Sequence, residues 1–128
     1  MTKKIIFTEK APKAIGPYSQ GVVAGNTLYI SGQVPLNPET SSLIEGDIAS
    51  QAKQVISNIE NICIEAGASL SDIVKLNIYL TDLLNFSDVN EVMQERFAEP
   101  YPARATVEVA GLPLGVEIEM DAIVYLNE

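Results

Sequence analysis

Residues 47–81 read DIASQAKQVISNIENICIEAGASLSDIVKLNIYLT, and the period of the apolar residues changes once along this stretch. Asp47 is a suitable helix N-cap, because its carboxylate can accept from the free N–H groups of a first turn. After it, Ile48, Ala52, Val55, Ile59, Ile62, Cys63 and Ala66 recur at helical spacing. Gly67 is a good stop, since glycine enters the left-handed region without strain. From Ile73 to Thr81 the pattern alternates. Val74, Leu76, Ile78 and Leu80 fall on one side, and Ile73, Lys75, Asn77, Tyr79 and Thr81 on the other. A helix with one apolar stripe and a strand with one apolar face bury those surfaces against each other, which predicts helix packed on sheet.

Working outward, Lys4–Thr8 reads as a short strand, and residues 11–17, with two prolines and a glycine, as punctuation. Tyr18–Ala24 and Thr27–Gln33 read as strands around the turn dipeptide Gly25-Asn26. Residues 35–45 read as a loop. A second helix is expected from Asn85 to Phe97, with Phe86, Val89, Met93 and Phe97 on one stripe, ended by Pro100 and Pro102. Ala103–Ala110 and Val116–Leu126 complete the set as an expected hairpin. The order is β-β-β-α-β-α-β-β, an α+β domain spanning residues 1–128 with both helices on one face of the sheet.

The composition narrows the chemistry. The chain of 128 residues carries a formal net charge of −9 and has no His and one Cys. Without His there is no Ser-His-Asp or Cys-His nucleophile and no His-ligated metal. Cys63 alone makes neither an intrachain disulfide nor a multi-thiolate site, and its place in the helical stripe makes it a core residue. The acidic balance argues against nucleic acid, which requires a basic footprint. The N-terminal residues are too polar for a signal peptide, and no apolar run reaches the ~18 residues of a membrane span. A cytoplasmic location is the expectation, and neither a metal nor a cofactor is expected.

The strands also carry a second face. Thr27, Tyr29, Ser31 and Gln33 oppose Leu28, Ile30 and Gly32; Glu117, Glu119, Asp121, Ile123 and Tyr125 oppose Val116, Ile118, Met120, Ala122, Val124 and Leu126. That face is too apolar for plain solvent and too polar for a monomer core. It reads as a subunit interface, the alternative being a solvated sheet face.

Only two arginines are present, Arg96 and Arg104. Arg96 lies near a helix C-terminus, where a cation suits the helix dipole. Arg104 lies in a strand beside small residues, with Thr106 and Glu108 on its face and Val107 and Val109 turned to the core. One register of the expected hairpin sets Thr106 opposite Glu119 and Arg104 opposite Asp121, making Arg104 and Glu119 diagonal neighbours; a shift of two residues sets Glu119 opposite Glu108. Arg104 then serves either as a fork for a ligand carboxylate, with Glu119 positioning or activating a water, or as the counter-charge to Glu108, Glu119 and Asp121.

Ile15-Gly16-Pro17-Tyr18-Ser19-Gln20, Ser31-Gly32-Gln33, Val89-Asn90, the run Pro102–Ala110 and Val116-Glu117-Ile118-Glu119 together resemble the Rid (YjgF-type, reactive intermediate deaminase) family, closest to its RidA branch. The likeness spans almost the whole chain. It implies a chorismate-mutase-like fold assembled as a homotrimer, with the sheets forming an inner barrel and pockets between subunits. It implies hydrolytic deamination of 2-iminobutanoate and 2-iminopropanoate to 2-oxo acids. By position, Arg104 matches the arginine that holds the substrate carboxylate, and Glu119 the glutamate that orders the hydrolytic water. Tyr18 and Ser31 match pocket residues, and Gly32 and Asn90 match positions near the pocket. Thr106 matches a substrate-binding position where many members have Cys; the resemblance implies mainly backbone contacts there, so Thr is tolerated and a thiol role is excluded. The segment between Asn90 and Pro102 is a few residues shorter than in common members, which bears on the pocket rim. Other members have been described as ribonucleases or translation inhibitors; the charge of −9 and the absence of His argue against RNA cleavage here. A ligand-binding module without catalysis is the remaining alternative reading, and a chorismate mutase would have only Arg104 for dianion recognition.

Overall fold

A computed structural model describes residues 2–127. Its strands are β1 (Lys4–Ile6), β2 (Gly21–Ala24), β3 (Thr27–Gln33), β4 (Leu36–Asn37), β5 (Ser42–Leu43), β6 (Ile73–Leu80), β7 (Ala103–Glu108) and β8 (Ile118–Tyr125). Its helices are α1 (Ile48–Glu65) and α2 (Phe86–Arg96). Six strands form one sheet in the order β1-β2-β3-β8-β6-β7, and both helices cover one face of it. This is the expected α+β architecture. The loop expected over 35–45 carries a small addition, the β4–β5 hairpin. Among the described residues no helix is long and apolar enough to cross a membrane.

The α1 reading holds in detail. Asp47 accepts from the Ser50 N–H at 2.9 Å, and Gly67 follows the helix with φ +85°. Ile48, Ala52, Val55, Ile59, Ile62 and Cys63 are buried against Leu28, Ile118, Met120 and Val124. Each aliphatic side chain buried in this way contributes roughly 1.5–3 kcal/mol. Cys63 has no disulfide partner, and burial pushes its thiol up to about 12. Asn58 sits in the same buried stripe, with its amide donating to the carbonyls of Val34 and Leu36 at 3.1 and 3.0 Å. Those bonds tie the start of the β4–β5 segment to the helix.

The expected C-terminal hairpin does not form. β7 runs parallel to β6, with Leu76 level with Arg104 and Ile78 level with Thr106. β8 lies antiparallel to β6 on one side and to β3 on the other, so neither of its edges is open to β7. The reason is the crossover. A helix of α2's length returns the chain for a parallel partner, and β6-α2-β7 is such a unit. The segment after β7 then crosses the end of β6, where Val109 N–H donates to Leu80 and Thr81 N–H to Glu117.

Two irregularities alter the faces read from alternation. The β3–β8 register shifts between Ile30 and Gln33, so Gln33 is buried while Gly32 turns to the mixed face. The β6–β8 register shifts between Ile73 and Lys75, so Ile73 is buried and Val74 exposed. A bulge adds one residue to one strand and reverses the facing of the residues beyond it. In β7 the facing is also the reverse of the expectation. Arg104, Thr106 and Glu108 lie level with Leu76, Ile78 and Leu80 on the helix side, and Val107 lies level with Tyr79 on the mixed face.

Candidate functional site

Six of the seven residues singled out from the sequence fall into two groups, and Thr106 lines neither cavity. Tyr18, Ser31, Gly32 and Glu119 line one cavity of about 480 Å³. Asn90 and Arg104 line a separate cleft of about 460 Å³. Arg104 and Glu119 are not diagonal neighbours. Glu119 is paired across β8–β6 with Tyr79 on the mixed face, whereas Arg104 is level with Leu76 on the helix side.

The Glu119 cavity is built on the β3 bulge. Ser31 N–H donates to Gln20 O at 3.0 Å, and the Ser31 hydroxyl donates to Ser19 O. The bulge brings the Gly32 backbone against the carboxylate. A Cβ at Gly32 would lie 2.1 Å from Glu119 Oε2, so only glycine leaves Glu119 in place. Burial, and then the negative charge of Asp121, hold the Glu119 carboxyl above its ordinary range. The rim is formed by Pro12, Lys13, Ile15 and Tyr18, with Pro113 and Leu114 closing the far side. Tyr18 is half exposed, and its hydroxyl accepts from Ile15 N–H at 3.2 Å.

Gln20 organises that rim, and sequence reasoning missed it. Its side chain is buried and makes four hydrogen bonds: Oε1 accepts from Thr8 N–H, and Nε2 donates to the carbonyls of Thr8, Ala11 and Pro12. A glutamine in a run with Gly16, Pro17 and Ser19 looks like turn filler, and nothing local marks it as buried. Leu114 was also unmarked. Its φ of +61° places a leucine in a region that favours glycine and turns the segment onto the cavity.

The Arg104 cleft is built on the sheet edge and α2. Arg104 Nη1 donates to Asn90 Oδ1 at 2.5 Å, and its guanidinium lies 5.2 Å from the Phe86 ring centroid. Met93, Gln94, Tyr101 and Pro102 complete the lining. The Thr106 hydroxyl is buried on the same face of β7 without a hydrogen-bond partner. Of the three carboxylates that could have neutralised Arg104, Glu119 lies on the other face of the sheet and two are engaged elsewhere. Glu108 accepts from Leu83 N–H at 2.9 Å, and Asp121 accepts from Asn77 and Tyr79 at 2.8 Å each. Among the described residues, the ion pairs are Lys53–Glu95 and Arg96–Glu60. Arg96 is structural, binding Glu60 and Ser57 of α1. Arg104 is therefore a cation with an amide and a ring beside it and, among the described residues, no carboxylate partner.

The chain thus holds two separate clefts, one carrying the Glu119 carboxylate and the other the Arg104 guanidinium. The endoribonuclease L-PSP family model matches residues 8–126. A RutC family protein of Pyrococcus abyssi is 55% identical over 125 residues, covering 98% of each chain. A 2-iminobutanoate/2-iminopropanoate deaminase of Dermatophagoides farinae is 44% identical, covering 98% of each. The crystal structure of RidA from an Antarctic Psychrobacter superposes with a TM-score of 0.93 at 53% identity, covering 96% of this chain and 99% of that one. With the family model spanning nearly the whole chain and relatives of this similarity at full length, the chain belongs to the endoribonuclease L-PSP family, the Rid (YjgF-type) family that its motifs resemble.

Proposed function

We propose that this protein hydrolyses reactive 2-imino acids, 2-iminobutanoate and 2-iminopropanoate, to 2-oxo acids and ammonia. The observation that carries the reading is Arg104: an exposed guanidinium in a cleft, oriented by Asn90 and Phe86, with no carboxylate among the described residues to neutralise it. Such a group suits the carboxylate of a small 2-imino acid, through two parallel charge-assisted hydrogen bonds. The deaminase name of the mite relative supports the same substrate class.

The site is completed, in this reading, across a homotrimer in which the Arg104 cleft of one protomer meets the Glu119 cavity of the next. The exposed Tyr29, Val107 and Tyr125 of the mixed face supply apolar surface for such an assembly. Arg104 then holds the carboxylate, while Tyr18 and Ser31 shape the cavity. Backbone groups near Ser31 and Thr106 align the imine nitrogen, the Thr106 hydroxyl itself being buried. Glu119 accepts a proton from a water as that water adds to the imine carbon, converting C=N to a carbinolamine. The proton is returned to nitrogen, the C–N bond breaks, and R–C(=NH)–COO⁻ plus water becomes R–C(=O)–COO⁻ plus ammonia. The imine carbon is already electrophilic, so positioning substrate and water provides most of the acceleration.

The test is a coupled assay. A threonine dehydratase releases the imine, and semicarbazide traps what has not been hydrolysed. The wild type is expected to speed 2-oxobutanoate formation, and Arg104→Ala to fall on the order of a hundredfold or more in kcat/KM. Equal rates for the two proteins would overturn the reading.

A further inference from the structure

Two donors on β6 face two carboxylates on β8, and their allocation is unequal. Tyr79 is directly opposite Glu119, and Asn77 directly opposite Asp121. Yet the Tyr79 hydroxyl reaches diagonally to Asp121 Oδ2 at 2.8 Å, while Asn77 Nδ2 donates to Asp121 Oδ1 at 2.8 Å. Both Asp121 oxygens are therefore engaged, one donor each. Among the described residues no group donates to Glu119, although its carboxylate is half-buried on the same strand face.

We propose that Asp121 is a positioning residue for the reaction: clamped by Tyr79 and Asn77, it stands as a fixed anion one pleat from Glu119, draws off the nearby donors, and leaves Glu119 as the group that takes the proton. The inference rests on the deaminase reading for its consequence but not for its geometry. Removal of a donor and addition of a neighbouring anion act in the same direction, since each disfavours the ionised form of Glu119 and makes it the stronger base. The Glu119 carboxyl, raised by burial first and by Asp121 second, agrees with this, as does Tyr79, whose hydroxyl is pushed up to about 12 chiefly by its bond to Asp121. The other ionisable groups around Glu119 are few. Lys13 and Tyr18 face it from the rim, Lys75 lies farther along β6, and the bulge of β3 presents Ser31 and Gly32, which carry no charge. Glu117 is turned to α1, where Gln51 donates to it at 3.3 Å.

The experiment compares wild type, Asp121→Asn and Asp121→Glu, each first checked for folding by thermal melting. Glu119 is titrated directly by ¹³C NMR of labelled glutamate side chains, assigned with Glu119→Gln, and the acid limb of kcat/KM is recorded in parallel. In Asp121→Asn both the titration and the acid limb are expected to move to lower pH, and in Asp121→Glu both are expected to stay near the wild-type position. An unmoved Glu119 titration in Asp121→Asn, or an equal shift in Asp121→Glu, overturns the proposal. If the wild type shows no deaminase activity, the functional reading fails on its own, while the NMR titration still decides whether Asp121 sets the basicity of Glu119.

Discussion

The two clefts are constructed on opposite plans. Glu119 stands on β8, a strand with partners on both sides, and is backed by the β3 bulge and the buried Gln20 network. Arg104 stands on β7, one edge of the sheet, and reaches its place through a long side chain steadied by one amide and one ring. The first half is held by backbone and the second by side chains. A proton acceptor needs a fixed position and a tuned environment, which a central strand supplies. A carboxylate fork needs reach and an open approach, which an edge supplies. The contrast predicts that damage to the Glu119 half acts through geometry, and damage to the Arg104 half through lost charge.

The largest effect expected breaks the pairing of the halves outright. Arg104→Ala and Glu119→Ala, each inactive alone, are expected to recover activity when co-expressed, because a shared site then combines the intact half of each. Random assembly restores about a quarter of the sites overall and about a third of those in trimers that contain both variants. Purified mixed trimers assayed for 2-oxobutanoate formation check this, and no recovery would mean that the halves do not meet across subunits. Next is Gly32→Ala, whose Cβ must displace Glu119. A loss of about 10- to 100-fold in kcat is expected, with KM for the imine far less affected, since Arg104 is untouched. Gln20→Ala removes four hydrogen bonds, three of them buried, and is expected to destabilise by about 1–3 kcal/mol in denaturant titrations at fixed protein concentration. Its activity loss should follow the Glu119 side, through a loosened Pro12–Tyr18 rim. The smallest effect belongs to Asp47→Ala, remote from both halves. The cap's bond to Ser50 holds the Asp47 carboxyl below its ordinary range. Its contribution is therefore complete above the unfolded pKa and fades as pH falls through the lowered folded value. The variant should melt slightly earlier than wild type at neutral pH, converge with it in acid, and turn over normally.

What could be read from the sequence divides along the same line. Asp47, the stripe from Ile48 to Cys63 and the alternation of Ile118–Val124 are local statements about a helix and a buried strand, and the chain obeys them. The misreadings are non-local. Nothing within residues 103–126 reveals that β6 lies between β7 and β8, because that depends on which edge of a strand about 30 residues earlier is free. The hairpin reading assumed that neighbours in sequence are neighbours in space, and it thereby set Arg104 on the wrong face. Gly32 and Val74 were misassigned for a different reason. Alternation counts residues, and one bulged residue reverses every facing after it. The candidate residues could be named from the sequence, but their division into two groups depends on the strand order.

The close approach of Gly32 to Glu119 also bears on how this chain can change. With 2.1 Å between a would-be Cβ and the carboxylate oxygen, a side chain at position 32 is admitted in two ways: the end of Glu119 swings aside, or position 119 is shortened. The two routes leave different traces in a lineage. In the first the glutamate persists in the sequence but no longer stands where this chain holds it, and in the second it is gone. A descendant carrying a side chain at position 32 is therefore expected to hold a displaced Glu119 or none. Reverting position 32 to glycine would bring the carboxylate back to its place only along the first route.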